Sequence, residues 1–147
     1  MKITDMLTTE HAVFCAMFDQ IEHALPTLET PAEFKTLAGL LETLLHAHGE
    51  VEQDLAYGPL DHLLNEKSQL GRLFSDHREM DGRMKEVQAT SDPAQARRLL
   101  QAAMVMSREH FRYEEQTLFP FVEKVLDLDS LEKLGDAYAH KRRNLPR

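Results

Sequence analysis

Four stretches of this 147-residue chain carry apolar residues at three- and four-residue steps, and every one of the four stripes contains a histidine. Such steps are the mark of amphipathic helices. The first stripe holds Leu7, His11, Phe14, Phe18, Ile21 and Leu25, and the second Phe34, Leu37, Leu41, Leu44, His48, Glu52 and Leu55. Leu70, Leu73, His77, Met80 and Met84 form the third, and Leu99, Ala103, Met106, His110, Thr117 and Phe121 the fourth. Strand-like alternation is absent and glycines number only six, so the chain is expected to be all-α. Four helices of about 20 residues joined by short loops predict an up-down-up-down bundle over about residues 5–125. A short extra helix is expected at about 129–143, within a single domain spanning 1–147.

Local signals mark the ends. Thr30-Pro31 with Glu33 offers an N-cap, a proline at the first helical position and a capping-box glutamate, and Asp92-Pro93 with Gln95 offers the same set. Tyr57-Gly58-Pro59 should interrupt the second helix, with a connector to about Asn65. Pro120 should kink or end the fourth.

Histidines in apolar stripes are costly, since a buried imidazole or carboxylate without partners loses several kcal/mol. The numbering places them at one depth. Residues in an antiparallel hairpin face each other when they lie equally far from its turn: His11 and His48 are centred on 29.5, and His77 and His110 on 93.5, both at predicted turns. Each pair is therefore level, about 25 Å from its turn at 1.5 Å per residue. Both hairpins also repeat a histidine followed by His-x-x-x-Glu, as His11 with His48 and Glu52, then His77 with His110 and Glu114. Residues four apart share a helix face, so imidazoles can act as terminal ligands while carboxylates bridge. Four histidines and two carboxylates in a bundle core suit a binuclear site of iron, ahead of manganese or zinc.

With 15 glutamates in the chain, about one His-x-x-x-Glu pair is expected by chance, and there are four. His46 with Glu50 lies about 200° from the His48 stripe and is read as a solvated pair. His62 with Glu66 stands about 15 residues from His77, too far along the axis to share a site.

The set His11, His48, Glu52, His77, His110 and Glu114, with the His-Phe-x-x-Glu-Glu-x-x-x-Phe-Pro run from His110 to Pro120, resembles the hemerythrin-like, or HHE cation-binding, family. The resemblance implies a four-helix bundle holding a di-iron centre with an oxo or hydroxo bridge. It also implies traffic in dioxygen, peroxide or nitric oxide. Oxygen-carrying hemerythrins place a fifth histidine one turn after the third-helix ligand, where this chain has Asp81, which makes it similar to a four-histidine, two-glutamate subgroup. Asp81 is then a candidate ligand or a hydrogen-bond acceptor for a ligand imidazole. Tyr113 is read as packing rather than as a site donor, and Cys15 as a small core filler.

Composition trims the alternatives. A net charge of −8 and a single short basic tail, Lys141 to Arg147, argue against a nucleic-acid partner. Asp5 and Glu10 occupy the place where a signal peptide needs an apolar core, no stretch nears ~18 apolar residues, and one cysteine suits a reducing compartment, so a cytoplasmic protein without a membrane partner is expected. Two roles remain open: a self-contained protein that binds or reduces dioxygen, peroxide or nitric oxide in stress protection or sensing, or a non-catalytic iron- or oxygen-sensing or storage module that signals through a partner. A homodimer through the C-terminal segment is a further possibility.

Overall fold

The computed structural model describes residues 1–60 and 67–144. Among the described residues six α-helices follow one another: α1 (Ile3–Ala24), α2 (Pro31–Glu52), α3 (Lys67–Ala89), α4 (Pro93–Tyr113), α5 (Phe119–Val125) and α6 (Leu128–Arg143). The first four are the long helices of the bundle and α6 is the additional C-terminal one. The pair His62 and Glu66 and the expected connector to Asn65 lie outside the described residues.

The start of α2 carries the full capping box, in which Thr30 Oγ1 accepts from Glu33 N and the Glu33 carboxylate accepts from Thr30 N at 2.8 Å. The start of α4 differs from expectation. Asp92 caps Ala94 N at 3.0 Å, but its own N–H is taken by Thr90 Oγ1, and Gln95 turns to the Thr90 hydroxyl instead of closing a box.

Neither Tyr57-Gly58-Pro59 nor Pro120 simply breaks its helix. Each is preceded by a π-helical turn, Gln53–Tyr57 and Glu114–Leu118, after which the chain continues as a 3₁₀ turn (Gly58–Leu60) or as α5. A proline cannot donate to the carbonyl four residues back, and the wider turn absorbs the mismatch upstream of the ring.

The stripes are mostly as expected, with two shifts. Leu45 rather than Leu44 faces inward on α2, and on α4 the buried positions are Ala96, Leu100, Ala103, Met104, Ser107, His110 and Phe111, leaving Leu99 and Met106 half-buried. Tolerance of leucine and methionine on either side of a stripe hides such offsets in the sequence. The buried apolar residues fall into two clusters. One, near the α1–α2 and α3–α4 turns, includes Phe18, Phe34, Leu41, Met84 and Leu100; the other, at the opposite end, includes Ile3, Leu7, Tyr57, Leu73, Phe119 and Tyr138. A layer of buried histidine and glutamate lies between them. No helix among the described residues is long and apolar enough to cross a membrane.

Candidate metal centre

The polar layer is built from His11 on α1, His48 and Glu52 on α2, His77 on α3, His110 near the end of α4 and Glu114 at the start of the π-helical turn that follows it. Its histidines meet in the level pairs that the numbering predicts: His11 Nε2 is 3.2 Å from His48 Nε2, and His77 Nε2 is 2.8 Å from His110 Nε2. The two glutamates stand between the pairs. Glu114 reaches His11 Nε2 at 3.3 Å with one oxygen and His110 Nε2 at 3.1 Å with the other, while Glu52 Oε2 lies 3.7 Å from His48 Nε2 and 3.5 Å from His77 Nε2.

Two groups of donor atoms therefore exist, His11, His48, Glu52 and Glu114, and Glu52, His77, His110 and Glu114, each with all its atoms within 4.8 Å of one another. Both glutamates are common to both groups. This is the donor set of two adjacent cations bridged by two carboxylates.

The protein alone leaves this layer unsatisfied. Both oxygens of Glu52 and Oε2 of Glu114 are buried without a hydrogen-bond partner among the described residues, although both side chains are wholly inaccessible. Buried carboxylate oxygens demand a partner, and a cation is one that all four imidazoles would share. The residues fit a bound metal.

Each imidazole is also held from behind, at Nδ1. Glu10 accepts from His48 at 2.7 Å, Glu115 from His11 at 2.9 Å and Asp76 from His110 at 3.3 Å, and the Gln53 amide lies 3.0 Å from His77. The three carboxylates, as acceptors from Nδ1–H, fix the tautomer that leaves Nε2 free to face inward and raise the basicity of the ring, whereas the Gln53 amide nitrogen donates to His77 Nδ1 and positions that ring only. The repeat extends to them. Glu10 and Asp76 directly precede His11 and His77, and Gln53 and Glu115 directly follow Glu52 and Glu114.

Electrostatics follow from the contacts. Burial pushes the Glu114 carboxyl up, but the close imidazoles of His11 and His110 outweigh it and hold the group well below the usual carboxylate range. Burial would lower His110, yet Glu114, Glu52 and Asp76 raise it to about 9. Glu10, despite half-burial, is kept at about 2 by His48 and Arg142.

Tyr57 is a site residue that the sequence reading passed over. Its buried hydroxyl donates to Glu114 Oε1, and its ring stacks beside His77 at 5.9 Å. On a regular helix a residue five after Glu52 would point about 140° away from it. The π-helical turn brings it back over the same face. An aromatic residue five after each glutamate, Tyr57 and Phe119, was the available signal.

Other candidates fall outside. Asp81 belongs to neither donor group and lies 3.7 Å from the exposed His46, which also faces Glu50 at 3.5 Å, as a solvated pair should. Tyr113 packs beneath the Arg72 guanidinium at 4.1 Å. Cys15 is half-buried against the core, where desolvation raises its thiol above the usual range.

A cavity of about 280 Å³ opens beside the layer, lined by Gly49, Gln53, Phe74, His77, Met80 and Asp81 among others. Neither a curated protein nor a solved structure matches the chain. The family model described as the hemerythrin HHE cation-binding domain matches residues 2–122, the span that contains all six inward-facing donors, and the chain belongs to that family.

Proposed function

We propose that the chain binds two iron ions per molecule, His11 and His48 serving one and His77 and His110 the other, with Glu52 and Glu114 bridging, and that it binds or reduces dioxygen, peroxide or nitric oxide. The observation that carries this reading is that both donor groups share both glutamates. When bound, the iron pair supplies reversible one- and two-electron chemistry toward small oxidants.

The chain's own residues supply the setting. Glu10, Glu115, Asp76 and Gln53 orient the imidazoles, and Tyr57 holds one oxygen of Glu114 in place. Phe14, Phe111 and Phe119 keep water from the His11 and His48 side through ring contacts within 6 Å. A cavity of about 280 Å³ at His77 suits a diatomic molecule or peroxide better than a metabolite. Gln53, Arg78 and Asp81 in its mixed lining offer hydrogen-bonding groups to a small polar ligand. A single cysteine fits a reducing, cytoplasmic setting.

Stopped-flow spectra of the reduced, iron-loaded protein mixed with oxygen test the role. Fast oxidation without a lasting adduct, followed by reaction of the ferric form with peroxide, is the expected result. A stable, reversible oxygen adduct would make the protein a carrier.

A further inference from the structure

The hydrogen-bond network behind the imidazoles does not stop at the bundle. Glu10 Oε2 accepts both from His48 Nδ1 at 2.7 Å and from an Arg142 terminal nitrogen at 2.6 Å, while Arg142 Nε donates to Glu10 Oε1 at 2.9 Å. Arg142 lies on α6, beyond the residues 2–122 of the family match. Among the described residues Glu10 is the one of the four partners gripped by a cation from outside the bundle: Asp76 pairs with Arg72 of its own helix at 3.9 Å, Glu115 with His11 alone, and Gln53 is uncharged.

We propose that α6 is a clip on the metal centre, with Arg142 acting as a positioning residue that holds His48 through Glu10, so that metal loading and docking of α6 stabilise each other. The proposal rests on the reading of the polar layer as a metal site.

Geometry supports a clip rather than a chance surface pair. A guanidinium fork gripping both oxygens fixes the plane of a carboxylate, which a single lysine contact cannot do. The fork is itself aimed by packing: Arg142 lies 5.6 Å over the ring of Tyr138, and Leu131, Gly135 and Tyr138 are buried against the bundle. At Gly135 the helix approaches the N-terminal backbone so closely that a Cβ would collide with the Met1 carbonyl. α6 is thus joined to the N-terminal segment at two points, Met1 through Gly135 and Glu10 through Arg142. If α6 leaves, Glu10 loses its fixed orientation, and His48 loses the acceptor that aims its Nε2 inward. Coupling of this kind is reciprocal, because whatever metal gains from docked α6, α6 gains from metal.

The full chain loaded with cobalt(II), whose visible bands report occupancy, is mixed with excess EDTA, and release is followed for the unmodified protein, Arg142→Ala, Arg142→Lys and Lys141→Ala. Arg142→Ala should release metal about tenfold faster, the low end of what outer partners contribute. Arg142→Lys should fall between, and Lys141→Ala, which loses only an exposed pairing with Asp54, should match the unmodified protein. Hydrogen exchange should show α6 amides more protected with cobalt than without, a difference that Arg142→Ala abolishes. Normal cobalt uptake with unchanged release from Arg142→Ala, or α6 exchange indifferent to cobalt, would overturn the clip alone. Failure of the unmodified chain to take up cobalt would overturn the metal reading and the clip together. If Arg142→Ala does not fold, Arg142→Lys and the exchange measurement decide.

Discussion

Gly49 sits so close to His77 that a Cβ added to it would stand 3.2 Å from Nδ1 and 3.3 Å from Cε1 of the imidazole. The equivalent position after the other His-x-x-x-Glu histidine is Phe111, whose ring stacks on His11 with centroids 4.1 Å apart and planes 12° apart. A repeated framework is therefore closed on one side by an aromatic ring and left open on the other by a glycine. Gly49→Ala should push the His77 ring by a few tenths of an ångström, disturb its contact with Gln53, and weaken metal retention about tenfold in a chelator competition. Unaltered retention would show that His77 has slack the structure does not suggest.

His48 and His46 are separated by one residue but differ in environment, one buried among ligands and the other 58 % exposed. His48→Ala should deplete the centre of metal, whereas His46→Ala should leave metal content unchanged. Elemental analysis of the purified variants distinguishes them, and loss of metal from His46→Ala would place the wrong face of α2 inward.

Tyr57→Phe removes a buried donor to an ionised carboxylate. A bond of that type contributes about 2 kcal/mol, so denaturant melts of the metal-free variant should show a loss of that order, with metal stoichiometry retained. A neutral result would mean that Tyr57 only packs.

What the sequence disclosed and what it hid have different physical origins. His11, His48, His77 and His110 could be found because the depth of a residue in a hairpin is simple arithmetic, and the i, i+4 spacing of His48 with Glu52 and His110 with Glu114 holds in any regular helix. The structure brings all six together. Tyr57 stayed hidden because a π-helical turn resets the helical phase, and the only marks of that reset are the downstream Pro59 and the aromatic residue five after each glutamate, neither of which helical periodicity picks out. The link from Glu10 to Arg142 was equally unreadable: the two are 132 residues apart, and no periodicity connects them. Asp81, which family likeness made a candidate, is turned toward His46 by its position on α3.

Removing metal should destabilise the fold and not merely silence it. Three buried carboxylate oxygens lack any other partner among the described residues, at a cost of about 1–3 kcal/mol each. Chelation should lower the thermal midpoint by roughly 10 °C or more. Superimposable melts with and without metal would move the binding site out of the core.

The central claim, two iron ions held by six donors of which Glu52 and Glu114 are shared, is tested most directly by the iron content and near-ultraviolet spectrum of the protein purified from iron-replete expression. About two iron atoms per chain, with the absorption of an oxo-bridged ferric pair, is the predicted result. One metal per chain, or zinc in place of iron under those conditions, would contradict it.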